Sequence, residues 1–457
     1  MKNMSIKTIY DDYASYEGKS VHLAGWIKTN RSSKAVGFIE LTDGSQFQGI
    51  QIVYEESLPN FSDISHYTIS STIEVHGEVV FTPNAKQPFE IKATSVELLF
   101  EADRDYPLQK KRHSLEFLRT IQHLRPRTNT FQAVFRVRSL LAHAIHEFFQ
   151  ERGFVYIHTP IITSNDAEGA GEMFQVTTLS LDKPVTSYED DFFGKKVGLT
   201  VSGQLAVEPF AHTFGKVYTF GPTFRAENSN TPRHASEFWM IEPEMSFYDL
   251  DMMLDLIEEF IKEITRKVME RAPQEMNFFN ERIEKGIINR LNAVIDADFA
   301  RVTYTEAIEI LKSSGQEFEY KPEWGVEIQT EHEKFLSGEH FKRPVFVTDY
   351  PREAKAFYMK QSEDGKTVRA VDLLVPEIGE IVGGSQREEN YDILKHEIER
   401  RGMKVEDYEW YLDLRRYGSI EHSGFGLGFE RMLRFITGIQ NIRDVIAYPR
   451  TPNSADF

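Results

Sequence analysis

The chain has 457 residues, and this length predicts two or more domains, because a single hydrophobic core rarely grows so large. Its composition, with 40% hydrophobic, 12% aromatic and 27% charged residues, is typical of a globular protein and excludes a largely disordered one. The absence of cysteine excludes disulfides, thiolate metal sites and cysteine nucleophiles. The formal net charge of −18, taken alone, argues against a polyanionic partner.

The sequence predicts neither a membrane-spanning segment nor a secretory signal. It contains no run of about 18 apolar residues that could span a bilayer. Its polar first twenty or so residues contain no apolar stretch of the kind that forms a secretory signal. These features predict a cytoplasmic protein.

Short runs of alternating apolar and polar residues between positions 20 and 100 predict five β-strands. Five strands in about 80 residues favour a small closed barrel of the kind that binds oligonucleotides. In the run FQGIQIVYE, Ile50 and Ile52 point to one face and Gln51 to the other. Gln51 is therefore predicted to face outward.

Regular periodicity stops between positions 101 and 130, where cationic side chains accumulate. We interpret residues 104–130 as a hinge between an N-terminal barrel domain, 1–103, and a second domain, 131–457. The hinge either contacts nucleic acid or is a solvated linker. Its cations are Arg104, Lys110, Lys111, Arg112, Arg119, Arg125 and Arg127.

The second domain combines helices and strands. Apolar residues at three- and four-residue spacing from Phe131 to Phe148 predict a helix that ends at Gly153, followed by an extended segment over 154–163. Extended runs between 198 and 247 and again between 345 and 386, including AFYMKQ, flank a helical insertion at about 254–342. An amphipathic helix is predicted from Asp249 to Arg271. A second long helix is predicted from Gly428. Strands grouped in this way favour an α+β domain on an antiparallel sheet flanked by helices.

The stretch GPTFRAENSNTPRHASEFWMIEPE places Arg225 on a predicted strand, with Phe238 on the strand that returns after a polar loop. A guanidinium on a rigid strand makes bidentate contacts to phosphate, and an aromatic ring opposite it can stack on a base. Together these residues suit a nucleotide, although a hairpin with paired Arg and Glu is also a common structural feature.

A second stretch, GFGLGFERMLRFITG, places glycines before a helix that carries Glu430 and Arg431 in its first turn. Glycine allows close approach of backbone, and an arginine at this position can bind the outer phosphates of a nucleotide. Alone the pattern is weak, because glycine before a helix more often serves packing.

These segments, in order, resemble the three motifs of class II aminoacyl-tRNA synthetases: the helix with Gly153 and the strand ending near Pro160, the FRAE hairpin, and the GLGFER helix. The preceding barrel resembles the OB-fold anticodon-binding domain of the aspartyl, asparaginyl and lysyl subgroup. The strings GEIVGGSQREE and IRDVIAYPRTPNSADF look like those of bacterial asparaginyl-tRNA synthetases. In VSGQLAV, taken as a strand, Val207 stands where aspartyl relatives carry a lysine that pairs with the substrate carboxylate.

The resemblance implies an enzyme that activates asparagine with ATP and transfers it to tRNA(Asn). It implies that Arg225 holds the α-phosphate and the amino-acid carboxylate, that Arg431 holds the γ-phosphate, and that Arg233 or His234 reaches the outer phosphates. Glu227 would accept from the adenine amine and Phe238 would stack on the ring. Mg²⁺ would be held by Glu380 and Asp372, although the spacing at Asp372 departs by about one residue from the aspartyl pattern.

For the amino acid, the resemblance implies that Arg387 donates to the side-chain carbonyl of asparagine and that Glu242 accepts from its amide. An amide offers one acceptor and two donors, so this pairing fits asparagine, whereas aspartate would bring its charge against Glu242. Glu168, Ser202 and Gln204 are the candidates for binding the α-amino group.

In the barrel, Phe38 and Gln51 stand where aspartyl relatives stack on and read the central anticodon base, and Arg31 and Lys28 would hold the backbone. Phe38 could instead fill the barrel interior, as aromatic residues in barrels usually do. The family's dimer motif also implies a homodimer through residues 131–160.

Three alternatives to this function are open. One is an aspartyl-tRNA synthetase that charges both tRNA(Asp) and tRNA(Asn). Val207 and the NSN loop argue against this alternative. Another is a tRNA-independent paralogue that makes asparagine from aspartate and ammonia, but such paralogues lack the barrel. The third is a non-catalytic RNA-binding descendant, which would have lost nucleotide-binding residues that this chain retains.

Overall fold

The computed structural model describes residues 4–85, 87–166, 173–180, 182, 187–229 and 231–457. The chain divides into two compact units, Met1–Ala133 and Val134–Phe457. None of the described helices combines the length and the apolarity that a membrane span requires.

The first unit is built on the five predicted strands. They close into a barrel in the order β1-β2-β3-β5-β4, in which β3 and β5 are parallel and the other neighbours antiparallel. The barrel forms because buried apolar residues alternate with more exposed ones along most of β1, β2 and β4, so that a single closed core can take the inward side chains. The OB-fold prediction is therefore confirmed. The strands are β1 (Ser20–Ser32), β2 (Val36–Thr42), β3 (Ile50–Glu55), β4 (Thr72–Phe81) and β5 (Phe89–Phe100).

Three short helices complete the first unit: α1 (Ile6–Asp11), α2 (Phe61–Ile64) and α3 (Leu115–Thr120). The predicted hinge cations do not all lie on the surface. Arg125 has no exposed surface, and its guanidinium lies 4.3 Å from the centre of the Phe131 ring. Arg125 is thus a structural cation, and neither role predicted for the hinge cations, nucleic-acid contact or solvated linker, applies to it.

The second unit contains an eight-stranded sheet in the order β12-β13-β14-β15-β16-β11-β10-β6. The six strands from β13 to β10 in that order are antiparallel, whereas β12 and β6, at the two edges, pair in parallel. The predicted α+β fold is confirmed, with parallel pairing added at both edges. The strands are β6 (Val155–Tyr156), β10 (Lys216–Phe224), β11 (Glu237–Ser246), β12 (Ala300–Thr303), β13 (Val345–Pro351), β14 (Thr367–Val375), β15 (Gly379–Gln386) and β16 (His422–Gly428). A separate small sheet consists of β7 (Ile162–Thr163), β8 (Gln175–Val176) and β9 (Val197–Leu199).

Helices pack around the large sheet, and the two long ones have the predicted positions. The helix α4 ends before Gly153, whose φ of +77° is the left-handed conformation that glycine adopts easily. The helix α6 begins after Asp249, whose side chain accepts from the backbone N–H of Met252 at 2.8 Å. The helices are α4 (Asn129–Glu151), α5 (Gln204–Phe214), α6 (Leu250–Arg271), α7 (Pro273–Arg282), α8 (Ile287–Asp296), α9 (Tyr304–Ser313), α10 (Thr330–Lys334, continued by a π-helical turn Phe335–His340), α11 (Tyr391–Arg400), α12 (Glu409–Arg416) and α13 (Phe429–Thr437).

Several local predictions are wrong. VSGQLAV is not a strand, because Gln204 begins α5, whose buried residues Leu205, Val207 and Ala211 pack beneath the sheet despite Pro209 inside the helix. AFYMKQ forms only isolated bridges, at Met359 and Gln361. The helix that follows Gly428 has only nine residues.

Candidate active site

A cavity of about 330 Å³ lies on the large sheet of the second unit. Strands β11, β15 and β16, the loop between β10 and β11, and the first turn of α13 line it. The structure brings together all the site residues predicted for this unit apart from Glu168, which lies outside the described residues. Those that line the cavity are Ser202, Gln204, Arg225, Glu227, Arg233, His234, Phe238, Glu242, Asp372, Glu380, Arg387 and Arg431.

One wall of the cavity is the hairpin of β10 and β11. Arg225 directly follows β10, and its backbone N–H donates to Ser236 O at 3.0 Å, which keeps the chain in hairpin register beyond the strand. Phe238 on β11 pairs with Thr223. The Arg225 guanidinium lies 5.5 Å from the centre of the Phe238 ring. A cation and an aromatic face are therefore held side by side at a spacing that suits a phosphate and a base.

Two carboxylates converge opposite this hairpin. Glu380 on β15 and Asp372 on β14 both approach Gly383, where an added Cβ would lie 3.4 Å from Glu380 Oε1 and 3.5 Å from Asp372 Oδ1. A β-bulge near Leu374 produces this convergence. Asp372 pairs with Gly383, but beyond the bulge Leu374 pairs with Glu380, so Glu380 turns to the face that Asp372 occupies.

Cations flank both carboxylates. Arg431 Nη1 lies 3.1 Å from Glu380 Oε2, and Lys355 Nζ lies 2.7 Å from Asp372 Oδ2. Burial opposes ionisation of Glu380, but the charge of Arg431 outweighs it and lowers the pKa of this carboxyl. Burial raises the pKa of Asp372, which Lys355 offsets only in part. Two converging carboxylates are a donor set of hard oxygens, which fits Mg²⁺.

The helical insertion contributes a residue that sequence reasoning missed. Glu333 on α10 accepts from the backbone N–H of Glu380 at 3.3 Å and lies 3.4 Å from Arg233 Nη1. Arg233 also donates to Thr330 Oγ1 at 2.7 Å and to the Ile378 carbonyl. Burial, and then the nearby charge of Glu380, raise the pKa of Glu333 to about 7. Neither Glu333 nor Lys355 stood in a recognisable motif, because tertiary packing alone brings Lys355 to the cavity and Glu333 against Glu380 and Arg233, which line it.

The opposite end of the cavity is a buried polar pocket. Glu242 accepts from the Ser202 hydroxyl and, at 2.9 Å, from the backbone N–H of Gly203. Burial raises the pKa of Glu242, against the hydrogen bonds from Ser202 and Gly203 and the charge of Arg225. The Ser202 hydroxyl in turn accepts from the backbone N–H of Gln204 at 3.1 Å.

Arg387 lies across this pocket and is only 3% exposed. Its Nε and Nη2 donate to the two carboxylate oxygens of Glu244, and its Nη1 donates to Ser385 Oγ at 2.9 Å. An added Cβ at Gly424 would overlap the Glu244 carboxylate, so glycine is required at this position of β16. Three of the five N–H donors of a guanidinium are thus bound to protein, and the side chain lines the cavity with the rest.

The residues predicted for the barrel lie on its outer surface. Phe38 is half-buried, whereas its neighbour Ile39 is fully buried in the core, so the alternative of Phe38 as a core residue is wrong. Arg31 pairs with Phe38 across β1 and β2, and its guanidinium lies 5.1 Å from the ring centre. Gln51 points outward, as predicted, and donates to Glu90 at 2.8 Å. Lys28 lies 3.4 Å from Glu40.

Known proteins resemble this chain over its whole length. The family model of class II tRNA synthetases (D, K and N) matches residues 114–452, and that of an OB-fold nucleic acid binding domain matches residues 21–99. The asparagine–tRNA ligases of Alkaliphilus metalliredigens and Clostridium acetobutylicum are each 59% identical to it over 463 aligned residues, covering 100% of both chains. Among solved structures, asparaginyl-tRNA synthetase from Pyrococcus horikoshii complexed with asparaginyl-adenylate has a TM-score of 0.87 at 32% identity, covering 100% of this chain and 99% of that one.

Proposed function

Because the chain belongs to the asparagine–tRNA ligases, a family of class II aminoacyl-tRNA synthetases, we propose that the cavity residues activate asparagine and that the barrel selects the tRNA. The enzyme joins L-asparagine to ATP, giving asparaginyl-adenylate and pyrophosphate, and then transfers asparagine to the 3′ end of tRNA(Asn). The assignment of residues rests on one observation. The same cavity has a cation beside an aromatic ring at one end and a buried Arg–Glu pocket at the other.

At the nucleotide end, Arg225 holds the α-phosphate and the amino-acid carboxylate, while adenine stacks on Phe238 and donates its amine to Glu227. The spacing between the Arg225 guanidinium and the Phe238 ring supports this arrangement, since a base on the ring brings its phosphates to the guanidinium. Both groups are held by a paired hairpin, so little reorganisation is needed when charge develops.

At the outer phosphates, Arg431 holds the γ-phosphate, and Arg233 or His234 binds from the loop. Glu380 and Asp372 would hold Mg²⁺, which when bound neutralises phosphate charge in the transition state. Lys355 and Arg431 pair with these carboxylates, and Glu333 and Thr330 hold Arg233. When ATP binds, its phosphates would therefore replace Glu380 as the partner of Arg431 and Glu333 as the partner of Arg233.

At the amino-acid end, Arg387 donates to the carbonyl of the asparagine side chain, and Glu242 accepts from its amide. Each carboxylate oxygen of Glu242 already accepts one hydrogen bond, and each has a second lone pair for the substrate. Ser202 and Gln204 grip the α-amino group, together with Glu168, whose role rests on the resemblance alone.

The chemical step needs no protein nucleophile. An oxygen of the asparagine carboxylate attacks the α-phosphorus in line, the new P–O bond forms as the bond to pyrophosphate breaks, and the electron pair leaves on pyrophosphate. The tRNA 3′-hydroxyl then attacks the acyl carbon of the adenylate and displaces AMP. Arg225 and Arg431 act by holding reactants and stabilising the charge on the phosphates.

The first test is ATP–pyrophosphate exchange with asparagine and with aspartate. We expect asparagine to support exchange with a kcat/KM about a hundredfold or more above that of aspartate, because aspartate brings its charge against buried Glu242. Glu242→Gln should lower exchange with asparagine and shrink this ratio, whereas the surface variant Arg416→Ala should leave the ratio unchanged. Stimulation by aspartate alone would overturn the proposed amino-acid pocket.

On the barrel, Phe38 stacks on and Gln51 reads the central anticodon base, with Arg31 and Lys28 on the RNA backbone. Their common outward face supports this role. Gln51→Ala should leave exchange unaltered and weaken tRNA charging about tenfold through kcat/KM, the effect of one lost base contact. Thr94→Ala, on exposed β5, is the matched control and should charge normally. An equal loss in both assays would contradict a separate tRNA-reading role for the barrel.

We also propose that the protein is a cytoplasmic homodimer that associates through the segment 131–160. The apolar face of α4 is already buried within the chain, so the exposed residues at and just after β6 would form the main part of the dimer contact. Val155 on β6 and, directly after the segment, Ile161 and Ile162 are each more than a third exposed. Light scattering at micromolar concentration should give twice the chain mass, and a monomeric mass would contradict the proposal.

A further inference from the structure

The outer surface of the barrel carries a group of side chains that takes no part in the proposed tRNA contacts. Strands β1 and β4 pair antiparallel with His22 directly opposite His76. Residues opposite each other on one face of a sheet have Cβ atoms about 5 Å apart, so both imidazoles project from the same point of the surface. Their rings are stacked, with centroids 4.1 Å apart and an angle of 8° between the planes.

A carboxylate completes the group. Glu74 lies two residues before His76 on the same face of β4, and its Oε1 is 2.5 Å from His22 Nε2. One potential ligand atom from each of His22, Glu74 and His76 lies within 4.8 Å of the other two. The side chains of His22 and Glu74 are only 11% and 28% exposed, so the barrel wall restricts their rotamers.

The other nitrogen of His22 is also informative. Nδ1 is buried and makes no hydrogen bond among the residues that the structure describes. A buried imidazole nitrogen is usually satisfied, so the local hydrogen bonds do not fully account for this histidine.

The donor set defines the ligand. Two imidazoles and one carboxylate suit borderline divalent transition ions such as Zn²⁺, whereas Mg²⁺ and Ca²⁺ prefer oxygen atoms. Ligand atoms of one tetrahedral zinc ion lie about 3.3 Å apart, since each is about 2.0 to 2.1 Å from the metal. The three atoms lie within 4.8 Å of one another, so the side chains would have to rotate, and the two stacked rings to part, as the ion binds.

We propose that His22, Glu74 and His76 bind one zinc-class divalent ion, with a fourth position left to water. The ion would link β1 to β4 and so stabilise barrel closure. Arg31, at the far end of β1, is nine residues away, about 30 Å along an extended strand. The ion would therefore act on the stability of the barrel and not on the tRNA contacts.

The test is calorimetric titration of the full chain with zinc chloride in the presence of excess magnesium, which occupies all-oxygen carboxylate sites. We expect one zinc ion per chain at micromolar affinity and a rise of several degrees in the melting temperature when zinc is added. His76→Phe keeps a stacked ring on His22 and removes the ligand nitrogen, so it should abolish both effects. Glu74→Gln should weaken binding at least tenfold.

His66→Ala is the matched control, because His66 lies on the same unit, exposed, and bonds locally to Ser62 O at 2.7 Å. It should retain full zinc binding. Each variant should keep asparagine-dependent pyrophosphate exchange and its zinc-free melting temperature, which separates ligand loss from misfolding. Wild-type stoichiometry in His76→Phe, equal loss in His66→Ala, or no zinc binding at micromolar concentration would each overturn the site, leaving a stacked histidine pair and a hydrogen bond.

Discussion

Arg225→Ala is expected to lower asparagine-dependent ATP–pyrophosphate exchange by about a thousandfold in kcat, the upper range for loss of one preorganised donor to transition-state charge. Arg225 follows a paired strand and its guanidinium lies beside the ring of Phe238, so in the role proposed for it this side chain would meet the α-phosphate without rearrangement. No other cation that lines the cavity lies on this hairpin strand beside that ring.

The comparison with Arg225→Lys separates charge from geometry. Lysine keeps the charge but cannot make the bidentate contact, so we expect it to recover only part of the activity. Arg416→Ala, at a surface ion pair with Asp413, is the matched control and should behave as wild type. Unchanged melting temperatures would assign the loss to chemistry. An Arg225→Ala enzyme within tenfold of wild type would contradict the central role of this residue.

The parts of the molecule that follow from the sequence are those with one buried face. Barrel alternation gave all five strands and the outward direction of Gln51, and the 3.6-residue period gave α4 and α6, because burial of a single face imposes these periods. α5 could not be read in this way. Pro209 and the apolar run before it argue against a helix, but the burial of Leu205, Val207 and Ala211 outweighs the local cost.

The site was predictable where residues lie in local motifs and not where packing assembles it. Arg225 and Phe238 are close because a hairpin joins them. Glu333 in the insertion contacts Glu380 and Arg233, and Lys355 in the loop before β14 contacts Asp372. No local spacing in the sequence indicates either contact. The bulge that turns Glu380 toward Asp372 is also invisible in the sequence, because one extra residue in a strand changes its face without changing its composition.

The acidic total charge does not describe the surface that a polyanion meets. The cavity gathers Arg225, Arg233, Lys355 and Arg431, and three of these cations pair with the acidic side chains of Glu333, Asp372 and Glu380. A net charge of −18 over the whole chain weakens non-specific attraction to RNA. Recognition of RNA therefore depends on a few specific side-chain contacts.

Glu208→Ala is expected to destabilise the second unit by about 3–5 kcal/mol, the cost of leaving a buried opposite charge without its partner. Glu208, at 0% exposure, accepts from Arg415 at 2.8 Å, from the hydroxyl of Tyr411 at 2.7 Å and from His422 at 2.7 Å. It also accepts from Gln204 at 3.3 Å, which ties the network to the amino-acid pocket.

Urea unfolding followed by tryptophan fluorescence measures this loss, because Trp239, Trp324 and Trp410 all lie in the second unit. Burial opposes ionisation of Glu208, but the charge of Arg415 and the contact with His422 hold its pKa well below the ordinary value. A depressed folded-state pKa adds stability above the unfolded value, near 4.3, and this stability is lost as pH falls toward the folded value. The difference in the free energy of unfolding between wild type and Glu208→Ala should therefore be largest at neutral pH, including pH 7, and should decrease as the pH falls into the acid range.

The double variant Glu208→Ala/Arg415→Met should recover part of the lost stability, because it removes the unpaired cation. A double variant no more stable than Glu208→Ala would contradict the charge-pairing explanation.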